Sequence, residues 1–381
     1  MSLAYRALAL QTTCHAVNGC ADAGQAQALM ARNIERVGRQ IRASKAIIVV
    51  SAALSLFSLN TWGYEGITPI ASVVLTIIFY LVVATAISFL VEGRRYATDR
   101  LISGLITTAF LVAVAPLISL LWMVVEAGVG SLDWEFLTND KDGLTLEDHA
   151  SGAGHALVGT LVITGTTALI AVPLGIMTAV YLVEYGRGWL SRTVTFLVDI
   201  MTGIPSIVAG LFAAAMIPTI AEYFVGKSEA LQMKTGFMGA VALVVLMTPI
   251  VVRNTEEMLR IVPNELREAS YALGVTKSRT IIKVVLRTAL PGIVSGVVIA
   301  IARIIGETAP LLITTGTTNV FNWNLFTGYM ETLPTYVYAS WSNQQTRELA
   351  WSGALTLIIL VLLLNLIARF IAKAFAPKGE K

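Results

Sequence analysis

Charged residues are scarce in this chain of 381 residues. Asp, Glu, Lys and Arg make up 13% of it, about half the share found in soluble domains, whereas 56% of the residues are apolar. Cysteine and histidine are scarcer still, with two and three residues, too few for a disulfide framework and without the spacing of a zinc site. The formal charge of +3 is too small to indicate binding to nucleic acid. The composition therefore predicts an integral membrane protein with no bound metal.

Long apolar runs are present instead, and about 20 mostly apolar residues suffice to cross a bilayer. Eight stretches approach or exceed this length, at 45–60, 67–91, 101–125, 156–184, 192–217, 237–258, 290–312 and 351–376. We therefore predict an all-α integral membrane protein surrounded by lipid. After a tail of residues 1–44, the first two spans form an extra hairpin, 45–91, and the last six form a core, 92–381.

Basic residues are distributed unevenly between the predicted loops. They concentrate in the N-terminal tail, after the second span, in residues 259–289 and at the C-terminus, whereas residues 126–155 contain seven acidic residues and one base, Lys141. Lys and Arg mark the cytoplasmic loops of membrane proteins. The pattern predicts a multi-pass protein of the cell membrane with both termini and residues 259–289 in the cytoplasm and residues 126–155 outside.

The cytoplasmic segment 259–289 begins with the pattern of a short amphipathic helix. Asn264 is suited to a helix start, and acidic residues follow it where they complement the helix dipole. Leu266, Ala269 and Leu273 then repeat at helical spacing and predict one narrow apolar face. A helix of this kind is unexpected between two membrane spans, and it indicates a surface for another protein.

A glycine separates this helix from a second one. Gly274 predicts the helix end because glycine adopts the left-handed conformation at little cost, and Thr276 is suited to cap a second helix that Pro291 closes at the membrane. The small residues Ala269 and Ser270 would allow another protein to approach closely. We interpret the segment as a protein-docking element rather than a solvated loop with accidental helicity.

The stretch EASYALG resembles the EAA loop of ABC-importer permeases, whose consensus is E-A-A, three further residues and G. Glu268, Ala269 and Gly274 match this consensus, and Ser270 takes the place of the second alanine. In that family the short coupling helix of the loop inserts into a groove of the ATP-hydrolysing subunit. The resemblance implies that Glu268, Ala269, Ser270, Leu273 and Gly274 couple this chain to an ATPase.

Other segments extend the resemblance to roughly residues 92–376. ALVGTLVITGTTALIAVPLGIMTAVYLVEY, GIPSIVAGLF, TPIVVRNTEEMLRIVPNELREA and ARIIGETAPLL together resemble the PstA-type permeases of phosphate importers. This implies a six-span, type I importer core, to which residues 1–91 add two spans. It also implies a second similar permease, two copies of an ATP-binding subunit and an extracytoplasmic phosphate-binding protein as partners. ATP would be hydrolysed by the partner, and this chain would bind no cofactor and catalyse no reaction.

Four polar residues at membrane depth are candidates for a translocation path, since burying an ionisable group in the bilayer is costly. Arg303 lies well inside the seventh predicted span, with Glu307 one helical turn further on the same face and Thr308 beside it. Asp199 lies in the fifth predicted span. A guanidinium matches phosphate in two-pronged hydrogen bonding. The alternative is that Arg303 merely neutralises Glu307 or Asp199.

Two other functions stay open: a permease for another oxyanion, and an ion-coupled secondary transporter that uses Arg303, Glu307 and Asp199. The sequence shows no internal repeat that would favour the latter.

Residues 221–228, AEYFVGKS, match a phosphate-binding loop only loosely and lack the strand that must precede it. Pro310 predicts a bend or an end of its helix.

Overall fold

The chain is helical and contains no strand in the residues that this computed structural model describes, which are 93–141, 152–225, 234–344, 346–375 and scattered positions from 77 to 89. The α-helices of these residues are, in chain order, α1 Arg94–Gly128, α2 Trp134–Thr138, α3 Gly154–Val180, α4 Trp189–Thr202, α5 Ser206–Val225, α6 Gly236–Ile261, α7 Asn264–Ala272, α8 Lys277–Thr280, α9 Leu286–Ile305, α10 Ala309–Thr314, α11 Leu333–Ser342 and α12 Arg347–Phe375. Two π-helical turns extend them: Tyr181–Tyr185 continues α3, and Ile281–Val285 joins α8 to α9.

Six of these helices, including their extensions, are long and apolar enough to cross a membrane. They are Arg94–Ser131, Gly154–Tyr185, Ser206–Tyr223, Gly236–Ile261, Lys277–Ile305 and Arg347–Ile367. The prediction of six spans in the core is therefore confirmed. The predicted tail 1–44 and span 45–60 lie outside the described residues, and only scattered positions of the predicted span 67–91 are described.

The predicted fifth span, 192–217, is wrong in its bounds. The helix α4 ends at Thr202, the turn Gly203–Pro205 interrupts the chain, and a new helix starts at Ser206. Proline has no N–H to donate and disfavours the helical conformation of the residue before it, which explains the break. The 14 residues of α4 are too few to cross a bilayer, so the span is α5.

The predicted seventh span, 290–312, is also displaced. Its helix starts at Lys277, passes the π-helical turn and ends at Ile305. Pro291 lies inside α9 and does not close the preceding helix as expected, since membrane helices tolerate proline where neighbouring groups satisfy the freed backbone carbonyl. Pro310 does not end this helix either, since it belongs to the first turn of α10.

From Leu120 onward the chain forms one compact unit. Its core lies between α3, α6 and α9, where the side chains of Ile163, Leu243 and Met247 are almost fully buried. Small residues allow these helices to approach closely, as is usual for membrane helices: a Cβ added at Gly175 would stand 2.7 Å from the Val251 side chain. This packing determines where the ends of α3 and α6 meet the short helices α7 and α8.

Candidate coupling and translocation site

The first short helix of the loop between α6 and α9 is present where the sequence predicts it, whereas the second, α8, starts where expected but continues through the π-helical turn into α9. The helix α7 begins at Asn264, Leu273 follows its last residue, and Gly274 adopts a φ of +75°. Thr276 precedes α8 with an extended backbone, although its side chain makes no capping hydrogen bond. The glycine is required at this position because other residues rarely adopt a positive φ.

The expected docking face of α7 is exposed. Leu266 and Leu273 are 41% and 84% exposed, and Glu268 and Ala269 are exposed beside them. The expectation that Ser270 is open to a partner is wrong, since Ser270 is buried and its Oγ lies 2.8 Å from Thr280 Oγ1. Ser270 therefore connects α7 to α8 and does not belong to the exposed face.

A largely buried ion pair that the sequence analysis missed attaches this loop to the end of α3. Arg267 Nη2 lies 2.9 Å from Glu184 Oε1, with the two side chains only 13% and 6% exposed. The two residues are 83 positions apart in the chain, so no local pattern links them. In the sequence, Glu184 is simply a charged residue at the end of a predicted span and Arg267 one of several bases in a loop, and nothing there indicates that they pair.

The structure does not form the predicted pair between Arg303 and Glu307. Arg303 lies in the last turn of α9, but the helix ends at Ile305, so Glu307 does not continue the same helical face. No carboxylate of the described residues forms an ion pair with the exposed Arg303 guanidinium. Thr308 directly precedes α10. The turn Gly306–Thr308 is responsible, because it ends the helix before its next turn.

Asp199 is likewise placed differently from the prediction. It lies on α4 and not in a span, and its Oδ1 accepts a hydrogen bond from Arg253 of α6 instead of pairing with Arg303. Arg253 also donates to Glu256 Oε2 at 2.8 Å, and Glu256 accepts a further hydrogen bond from Arg260. Arg253, Glu256 and Arg260 are spaced by three and four residues in RNTEEMLR, and this helical spacing was the signal that the sequence analysis overlooked.

A second polar cluster lies at the opposite end of α3. His155 Nε2 lies 3.0 Å from Glu331 Oε2, with both side chains almost fully buried, and Lys141 Nζ lies 3.8 Å from the same oxygen. The Lys141 ammonium also lies 4.0 Å from the centre of the Tyr336 ring. Burial lowers the pKa of Lys141, and the Glu331 carboxylate opposes this only in part. The cluster connects Lys141 and the first turn of α3 with Glu331 and the first turn of α11.

With this geometry in place, the class of protein follows from comparison with known families. Residues 171–381 match the family described as binding-protein-dependent transport system inner membrane component. The chain belongs to this family and is a multi-pass membrane protein with six candidate spans in its described residues.

Individual relatives define the kind of permease more closely. The chain is 46% identical to the phosphate transport system permease protein PstA 1 of Mycobacterium tuberculosis (strain CDC 1551 / Oshkosh), over 73% of this chain and 91% of that protein. It is 38% identical to the phosphate transport system permease protein PstA of Yersinia pestis, over 69% and 84%. The predicted resemblance to PstA-type permeases is confirmed.

A solved structure supports the fold. A chain of a bacterial alginate ABC transporter, determined in complex with an alginate pentasaccharide-bound periplasmic protein, matches with a TM-score of 0.50 at 13% identity. The match covers 72% of this chain and 98% of that one. At this identity the likeness shows the fold alone, and it agrees with the predicted type I importer core.

Proposed function

We propose that this chain is one transmembrane subunit of an ATP-driven importer of inorganic phosphate. The observation that supports the substrate is the 46% identity to a phosphate transport permease over most of both chains. Deleting the gene should abolish high-affinity uptake of radiolabelled phosphate by phosphate-starved cells, and a plasmid copy should restore it. Sulfate uptake, measured in the same cells, should stay at the parental rate. Loss of sulfate uptake with intact phosphate uptake would contradict the proposed substrate.

The proposed assembly contains this chain, a second similar permease, two ATP-binding subunits and an extracytoplasmic phosphate-binding protein. The family's description as a binding-protein-dependent transport component supports it. ATP is hydrolysed by the partner, and this chain binds no cofactor. Both termini and the loop 259–289 face the cytoplasm, and residues 126–155 face outside, as the distribution of basic residues indicates.

Coupling to the ATPase takes place, in this proposal, at the exposed face of α7. Leu273 is 84% exposed at its end, and an apolar side chain this exposed beside Glu268 and Ala269 suits a partner's groove better than water. Gly274 sets the direction in which the chain leaves the helix. Closure of the ATPase subunits then moves α7 and switches the path between outward- and inward-facing states.

Arg303 is the residue that we propose to meet phosphate in the path. Its support is the exposed guanidinium without a carboxylate partner among the described residues, which removes the geometric basis for a merely neutralising pair. Arg303→Gln should lower phosphate uptake by about tenfold or more, since hydrogen bonds to charged groups contribute roughly 1.5–3 kcal/mol each. Arg303→Lys should also be poor, because a point charge lacks the planar fork.

The matched control for Arg303 is Arg192→Gln, which removes an exposed arginine of α4 that is not a path candidate and should leave phosphate uptake at the parental rate. Each variant must still assemble with its partners, as judged by co-purification of the ATPase subunit. Uptake by an assembled Arg303→Gln complex near the parental rate would exclude Arg303 from the path.

A further inference from the structure

The ion pair between Glu184 and Arg267 joins parts of the chain that have no covalent connection nearby. The loop with α7 and α8 continues directly from α6 and into α9, whereas Glu184 belongs to the π-helical turn that ends α3. Arg267 donates from both Nη2 and Nε to Glu184 Oε1, at 2.9 and 3.1 Å. Because both side chains are largely shielded from solvent, water competes less for these hydrogen bonds than at the surface.

Arg267 also binds the end of α6. Its Nη1 donates to the Val262 carbonyl oxygen at 2.6 Å and its Nη2 to the Leu259 carbonyl oxygen at 3.0 Å. The last carbonyls of a helix have no partner within it, and a cation near them is favourable. One guanidinium therefore connects the ends of α3 and α6 to the first turns of α7.

The second short helix is attached to the same end of α3. Lys277, the first residue of α8, donates to the Glu184 carbonyl oxygen, and its ammonium lies 4.6 Å from the centre of the Tyr185 ring. The hydrogen bond between Ser270 and Thr280 then connects α7 to α8. Both helices of the loop thus contact Glu184 or Tyr185, two consecutive residues of the π-helical turn that ends α3.

We infer that Glu184 and Arg267 are positioning residues that make α7 and α3 move as one body when the ATPase moves the coupling helix. The inference rests on the proposed function. The helix α3 is 27 residues long, about 40 Å at 1.5 Å per residue, and it packs along α6 in the core. Without the pair, a displacement of α7 reaches α3 only indirectly, through α6 or through α8 and its contact at Lys277. With it, the displacement is passed to α3 at its end.

The test measures the distance between α7 and α3 by pulsed electron paramagnetic resonance in the assembled complex. Spin labels replace Glu265, exposed on α7, and Leu169, which is 76% exposed on α3. In the parental complex we expect one narrow distance distribution that is the same with and without trapped ATP. In Glu184→Gln and Arg267→Gln the distribution should broaden or shift when ATP is bound, because α7 moves without α3.

A functional measurement accompanies it. The variants should retain basal ATP hydrolysis but move fewer phosphate ions per ATP, by about fivefold or more, as expected for a lost coupling energy of ordinary size. Arg192→Gln removes an exposed arginine outside the loop and should match the parental complex in both measurements. A merely stabilising pair would lower the yield of complex without changing the distance distribution or the ratio.

Narrow, ATP-independent distances in both Gln variants would overturn the inference, and so would a parental distance that changes with ATP. If neither Gln variant assembles, Arg267→Lys replaces them. It keeps the charge, but an ammonium cannot reach the five acceptors that Arg267 now satisfies, so broadening is again expected. The distance does not depend on the transported ion, so a complex that transports another oxyanion refutes only the proposed substrate.

Discussion

Replacing Gly159 with alanine should destabilise the protein, because this glycine allows α3 to pass directly against the backbone of Glu331. A Cβ at position 159 would stand 2.0 Å from the Glu331 carbonyl oxygen, whereas carbon and oxygen atoms in contact are about 3.3 Å apart. The two segments would have to separate by roughly 1.3 Å. The hydrogen bond from Leu333 N to Thr160 Oγ1, 2.8 Å long and buried, would be broken by such a shift.

The expected cost can be estimated from these two effects. Overpacking a core by one methyl group costs about 1–3 kcal/mol, and the lost hydrogen bond adds about 1 kcal/mol. Gly165→Ala is the matched control, because it lies on the same helix and an added Cβ there meets no atom within 4 Å. It should be neutral or stabilising by up to about 1 kcal/mol, as alanine favours the helix.

Thermal unfolding of the purified variants in one detergent provides the measurement. Gly159→Ala should unfold at a clearly lower temperature than the parental chain, and Gly165→Ala at the same or a slightly higher one. Equal midpoints for the two alanine variants would refute the close approach of α3 to Glu331.

Three further predictions concern the two ends of the molecule. With the native cysteines replaced, an impermeant thiol reagent should label Asp140→Cys but not Arg279→Cys in intact cells, and the reverse pattern would contradict the proposed orientation. Gly274→Val should uncouple ATP hydrolysis from uptake, since valine disfavours the positive φ; parental coupling would exclude this turn from the docking element. Glu331→Ala should lower the midpoint of thermal unfolding by removing the hydrogen-bond partner of buried His155, a loss of about 1–3 kcal/mol, whereas Glu331→Gln should lower it less because its amide oxygen still accepts a hydrogen bond. Unchanged midpoints would show that the cluster contributes no stability.

The features that the sequence predicted correctly depend on short stretches of chain. The apolar run of a span is recognisable because the bilayer requires about 20 apolar residues in succession. The start of α7 at Asn264 and its end before Gly274 are likewise local, since dihedral preferences and helix-end chemistry act within a few residues. The exposed stripe on α7 follows from helical periodicity alone.

The tertiary structure decided which charged residues meet. Arg303 and Glu307 seemed paired because an unbroken helix was assumed, and the turn at Gly306 separates them. Asp199 meets Arg253 across two helices. These contacts depend on where helices break and on which ends pack together, which involves residues far apart in the sequence. A single sequence therefore determined the apolar runs of the spans and the exposed face of α7, while only the packed structure determined where helices break and how α7 is attached to the spans.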